Sequence, residues 1–166
     1  MWLANARCSS LRVCLSLAAL LLAGCGDVVK SHYTTYGEAK KEQLFARGWL
    51  PEIIPTSATA ITTANNLDLN RSEGDFAFPP AATEAFLARL VPYSGRGSFS
   101  RAFERRIRER KAEGYSLHEY QADQNIWVFL VNKPKGRAYY SLSSVANGKL
   151  DQGSGKTLSP AKRNRI

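Results

Sequence analysis

The sequence predicts an α+β fold: a single small domain with an antiparallel sheet of about five strands and three helices, following a cleaved signal peptide. Three observations carry this. Residues 126–131 (Ile-Trp-Val-Phe-Leu-Val) form a continuous apolar run between two alternating segments, the pattern of a central strand with a neighbour on each side. Two helical patterns stop at Gly48 and Gly114, where a left-handed residue closes a helix. A stretch rich in Thr, Ala and Ile, followed by Asp75-Phe76-Ala77-Phe78, alternates as a hairpin does.

The chain begins with an address. Arg7 and Arg12 are followed by an apolar segment, residues 13–23, too short to cross a bilayer, which takes about twenty apolar residues. Leu22-Ala23-Gly24-Cys25 ends it and resembles the bacterial lipobox, in which Leu and small residues precede an invariant cysteine. The resemblance implies that residues 1–24 are a lipoprotein signal peptide and that Cys25 becomes an acylated N-terminus bearing diacylglycerol. At about 0.8 kcal/mol per buried CH₂, two or three acyl chains anchor stably. The alternatives are a plain secreted protein cleaved near Gly24 and an uncleaved anchor. Gly26 follows the cysteine and Asp27 comes one later. An Asp directly after the cysteine retains Gram-negative lipoproteins in the inner membrane, so this order leans toward the outer one. Residues 25–35 then read as the lipidated Cys and a short polar tether.

The domain is expected over residues 36–146. Thr35-Tyr36-Gly37-Glu38 fits a capping box that opens a helix running to Arg47, with Gly48 as its stop and Trp49 set against Leu44. Pro51 and Pro55 keep the next segment out of helix. Residues 57–69 read as a strand, 70–74 as a turn and 75–78 as the returning strand, with Phe76 and Phe78 on one face. Residues 82–91 carry Phe86, Leu87 and Leu90 at helical spacing, and Pro92 stops them. A second interior helix starts from Ser98 or Ser100 and ends at Gly114, with Phe99, Ala102, Phe103 and Ile107 as its stripe. Strands over 115–122, 126–131 and 137–142 complete a meander, and the helices are expected on one face of the sheet. The core is expected to comprise Trp49, Ile61, Phe76, Phe78, Phe86, Leu90, Phe103, Ile107, Trp127, Phe129, Tyr140 and Leu142. Residues 147–166, rich in Ser, Gly, Lys and Arg, read as a disordered basic tail.

Within this order one segment has a family likeness. Tyr36, Glu38-Ala39, Leu44-Phe45, Arg47-Gly48-Trp49-Leu50-Pro51, Ser57-Ala58, Ile61, Asn66-Leu67-Asp68, Asn70, Phe76 and Phe78 resemble small uncharacterised bacterial lipoproteins of the YbbD head-domain type. The resemblance implies a lipoprotein with a compact domain. It brings no activity and no catalytic residues.

Composition narrows the chemistry. The chain has 23 Lys+Arg and 14 Asp+Glu; loss of Arg7 and Arg12 with the signal lowers the net charge from +9 to +7. The basic balance suggests an anionic neighbour, which for an exported, anchored protein is an anionic envelope component or a protein partner rather than nucleic acid; simple solubility is the alternative. Cys8 and Cys14 leave with the signal, so no thiol remains for a disulfide once Cys25 is acylated.

No motif supplies catalysis. Gly153-Ser154-Gly155-Lys156-Thr157 lacks the first glycine of a phosphate loop, Leu150 standing there. Asn66, Asp68 and Asn70 open like a calcium loop, but Arg71 and Ala77 occupy the positions of its Gly and Glu. His118 beside Glu119 has no second histidine or thiol near it in sequence. The best anion-binding candidate is Ser94-Gly95-Arg96-Gly97-Ser98 ahead of a helix, with Arg96, Ser98, Arg101, Arg105 and Arg108 as its residues. Against it stand an ordinary interhelical loop and a solvated arginine face. The expectation is a membrane-anchored envelope lipoprotein without cofactor or metal, a non-enzymatic binding or structural module facing the periplasm or exterior. The alternatives are a periplasmic inhibitor or immunity protein against an exported toxin or hydrolase, and an enzyme with an unrecognised site.

Overall fold

A computed structural model describes residues 28–97 and 99–144. The signal, Cys25, Ser98 and the expected tail lie outside those residues.

The segment expected as a tether is a strand. Val28–Thr35 forms β1, antiparallel to β2, with Tyr33 directed at the core. It reads as polar because a strand at the rim of a sheet buries little, and only Ser31 and Tyr33 are partly covered. Thr35 then caps α1 (Tyr36–Lys41), its hydroxyl accepting from the Glu38 N–H at 3.2 Å. Glu38 reaches back one residue further than a capping box requires, to the Thr34 N–H at 2.6 Å.

The helix expected to reach Arg47 stops earlier. Gln43 takes φ 61°, and the Leu44 N–H bonds to the Ala39 carbonyl at 3.0 Å. A second closure of the same kind follows at Gly48, φ 74°, where the Trp49 N–H bonds to the Leu44 carbonyl at 3.3 Å. The chain thereby turns Leu44, Phe45, Leu50, Ile53 and Ile54 inward.

Strands β2 (Thr59–Asn66) and β3 (Arg71–Ala77) form the expected hairpin, but the turn falls at 67–70. Asn66 Oδ1 holds the Leu69 N–H at 2.9 Å and Asn70 takes φ 45°, so the reversal is complete before Gly74. Gly74 lies within β3, where a Cβ would stand 1.9 Å from the Thr62 carbonyl oxygen. After a 3₁₀ turn (Pro80–Ala82), α2 spans only Thr83–Leu87, and Val91–Pro92 is a short strand, β4. Helix α3 (Arg101–Ala112) is capped by Ser100 Oγ on the Phe103 N–H at 3.1 Å. It ends at Gly114, φ 83°, with the Tyr115 N–H on the Arg110 carbonyl at 3.1 Å. β5 (Ser116–Ala122), β6 (Asn125–Asn132) and β7 (Arg137–Ser144) follow as expected.

All strands join one antiparallel sheet in the order β1-β2-β3-β7-β6-β5-β4. The expected five strands become seven, because the two outermost, β1 and β4, bury too little apolar surface to show in the sequence.

A further correction concerns the helices. The first face carries the larger core, with Phe76, Phe86, Trp127, Phe129 and Tyr140 beneath the 36–58 segment and α2. The second face carries a separate core in which Phe103 and Ile107 of α3 meet Tyr115 and Leu130, so α3 packs opposite the other helices. β6 is apolar on both sides, and each side needs its own cover. Eleven of the twelve expected core residues are buried; Trp49 is half-buried, its carbonyl accepting from Trp127 Nε1 at 3.4 Å.

Candidate binding surface

Cover on the second face stops halfway. α3 and the loop before it lie over β5, β6 and β7, where Leu117, Leu130 and Tyr139 meet Phe103 and Ile107. Over β1, β2 and β3 no helix or strand among the described residues covers the same face. By register, His32, Thr62, Asp75, Tyr139, Leu130 and Leu117 form one row across six strands, polar over the first three and mainly apolar beyond. The bare half is a shallow groove of about 480 Å³ whose lining includes Lys30, His32, Thr62, Glu73, Asp75 and Arg106.

Tyr139 forms the boundary between the two halves. Arg106 lies over its ring at 4.8 Å, Arg110 at 5.4 Å and Arg137 at 5.7 Å. Two of these cations have carboxylate partners: Arg110 pairs with Glu113 at 2.5 Å, and Arg137 pairs with Asp75. Among the described residues Arg106 has none, and it lines the groove together with Lys30 and His32. Burial pushes the Glu113 carboxyl up, but hydrogen bonds from Lys135 and Arg110 outweigh it, and the net position lies below the usual carboxylate value.

Asp75 organises the floor. One carboxylate oxygen takes Arg137, the other accepts from Thr62 Oγ1 at 2.5 Å, and Thr62 Oγ1 in turn accepts from the Asp75 N–H at 3.2 Å. His32, Thr62 and Asp75 lie side by side, but not in the order that nucleophilic catalysis needs. There the imidazole stands between hydroxyl and carboxylate; here the hydroxyl stands in the middle and gives its proton to the carboxylate. The groove is therefore equipped to hold polar and charged groups, with Lys30 and Arg106 offering positive charge and Glu73 an acceptor. No group of three or more His, Cys, Asp or Glu side chains gathers for a metal among the described residues.

The loop and helix arginines go elsewhere. Arg96 folds back on β5, its Nη2 3.2 Å from Glu119 Oε1 and its Nε 3.0 Å from Ser94 Oγ. Glu119 is buried and also accepts the Ser94 N–H at 3.0 Å. Burial raises the Glu119 carboxyl, but the Ser94 and Arg96 hydrogen bonds bring it below its ordinary value. Arg96 is thus committed to a carboxylate of its own chain. Arg101, Arg105 and Arg108 are exposed on the outward side of α3, Arg105 lying 3.8 Å from Glu109. Ser98 lies outside the described residues. His118 and Glu119 alternate to opposite faces, and the His118 Nε2 sits 2.8 Å from Ser116 Oγ. Burial, helped by Lys133, lowers the His118 pKa.

The sequence-based site took Arg101, Arg105 and Arg108 from α3 and left out Arg106. A separate signal was present: Arg106 and Arg110 are four apart on the flank beside the Phe103–Ile107 stripe, whereas Arg101, Arg105 and Arg108 share the far side.

The bare half of the sheet coincides with a known sequence family. Residues 27–77 match the family model of the YbbD head domain. That stretch is of the YbbD head-domain type. It contributes β1, α1, β2 and β3, under a third of the chain; Arg106, Arg137 and Tyr139 come from outside it. No curated protein and no solved structure matches the chain.

Proposed function

We propose that this chain is an envelope lipoprotein, anchored through Cys25, whose domain binds another envelope component in the groove over β1, β2 and β3. The observation that carries the reading is the open, half-covered second face. There Arg106, lacking a carboxylate partner among the described residues, lines the same shallow polar groove as Lys30. Open, polar surfaces of this kind suit recognition of an extended or macromolecular partner rather than enclosure of a small substrate. The partner's contact should offer anionic groups to Arg106 and Lys30 and donors to Glu73. Binding of this kind weakens as salt rises. Placement in the envelope rests on the leader and Leu22-Ala23-Gly24-Cys25.

The test is site-specific photo-crosslinking in intact cells with the probe at Ala64, on the groove floor, and a control probe at Pro134, in the β6–β7 turn. A discrete adduct at 64, absent at 134 and reduced by Arg106→Glu, is expected. Equal labelling from both positions, or none from 64, would end the groove reading. An adduct with an exported toxin or hydrolase would select the inhibitor reading of the same surface.

A further inference from the structure

Most apolar side chains among the described residues are inside, but five large ones there are exposed: Val28, Val29, Leu67, Leu69 and Val91. Four of these five gather at one end of the sheet. Val28 pairs with Asn66, the residue before Leu67, and Leu69 follows in the same β2–β3 turn. Val29 and Leu67 share the rim of a cleft of about 150 Å³ on the first face. The turn is held by its own hydrogen bonds, so Leu69, 54% exposed, is presented outward by a fixed backbone rather than by a loose loop. Lys30 and Arg71 flank the patch, and Asp68 sits between the two leucines.

The same end is where the chain leads back to Cys25. Val28 is the third residue after Cys25, and three steps of fully extended chain reach at most about 10 Å. An anchored Cys25 holds Val28 within that distance of the lipid, and the neighbouring valine and leucines come with it.

We infer that Val28, Val29, Leu67 and Leu69 form a second, non-covalent contact with the lipid bilayer, seating the β1–β2–β3 end of the sheet on the head-group region. The inference rests on the lipid-anchor reading above. Its occupant is the bilayer surface and not a protein, because the covalent tether brings lipid there at high effective concentration whatever else is present. The groove then opens sideways, along the membrane rather than away from it. The β6–β7 turn, at the far end of eight-residue strands, stands roughly 25 Å further out.

The processed chain has no thiol apart from the acylated Cys25, so single labels are clean. Leu69→Cys and Pro134→Cys are made in the full-length protein, isolated from membranes and reconstituted in vesicles of phosphatidylethanolamine and phosphatidylglycerol, each bearing an environment-sensitive fluorophore. The label at 69 is expected to be quenched by brominated lipid and to be several-fold less sensitive to aqueous iodide than the label at 134. Equal iodide quenching at both sites, with the protein still floating on vesicles, overturns the contact and leaves the anchor standing. Shielding at 69 from iodide without quenching by lipid, with a concentration-dependent dimer, also overturns it and gives the patch to a second copy. Protein with unmodified Cys25 that fails to float overturns the anchor, and this inference with it.

Discussion

β2 and β6 lie in the same sheet, each with an antiparallel neighbour on both sides, yet their sequences differ in kind. β6 is buried from Ile126 to Val131 without a break, whereas β2 alternates, with Ile61, Thr63 and Asn65 inside and Thr62, Ala64 and Asn66 partly open. Hydrogen bonding does not separate them; cover does. A helix lies over the second face of β6, and among the described residues none lies over that of β2. The YbbD-head half of the sheet therefore has one face that, among the described residues, the core does not use, and that face can be polar.

The largest expected contrast is within one row. Leu130→Ala, under α3, should lower unfolding free energy by about 2–5 kcal/mol, since it opens a cavity against Phe103 and Ile107. Thr62→Ala, in the same row on the bare half, should lower it by about 1 kcal/mol, through loss of the hydrogen bond to Asp75. Urea unfolding of both variants is the check, and equal losses would mean that the halves are not covered differently. At the junction, Gly74→Ala forces a methyl against the Thr62 carbonyl and the Tyr140 ring and should remove about 1–3 kcal/mol, read from the thermal midpoint.

Glu119→Gln sharpens the comparison from the covered side. It weakens the Ser94 and Arg96 hydrogen bonds and should lower stability at neutral pH by about 1–3 kcal/mol. Because the native Glu119 pKa is lowered, the folded chain binds that proton less readily than the unfolded one. Its contribution is complete above the ordinary value of 4.5 and drains away as pH falls through the lower native value. The wild type should lose stability across that acidic window and the Gln variant should lose less, as measured by denaturation at a series of pH values. The smallest effect belongs to the groove: Lys30→Ala with Glu73→Ala should move stability by less than about 0.5 kcal/mol while changing the crosslinking pattern at Ala64.

Legibility in the sequence follows the same divide. The β5–β6–β7 meander could be read nearly to its ends because a strand buried on both faces, between two that alternate, leaves a strong apolar signature. The continuous run at 126–131 also carried an unread implication: two buried faces need cover on both, so one helix had to lie apart from the others. β1 was illegible as a strand because Val28-Val29-Lys30-Ser31-His32-Tyr33 buries only one large side chain. The early stop of α1 was hidden because Gln43 adopts a left-handed conformation that glycine usually marks. The groove could not be read at all. Thr62 and Asp75 are thirteen residues apart and Asp75 and Arg137 sixty-two, and no local pattern joins them.

The seam between the halves also sets an order of events. β3 pairs only with β2 and β7, and its β7 partners lie 60 residues away at Ala77–Arg137 and 70 at Ser72–Leu142. A chain made from its N-terminus thus finishes β1, β2 and β3 long before their remaining neighbour exists, and closing so long a loop is slow. Until β7 arrives, the young meander offers unpaired backbone at β1 and at β3 alike. A nascent chain halted before Arg137 would be a ribbon with two unpaired margins.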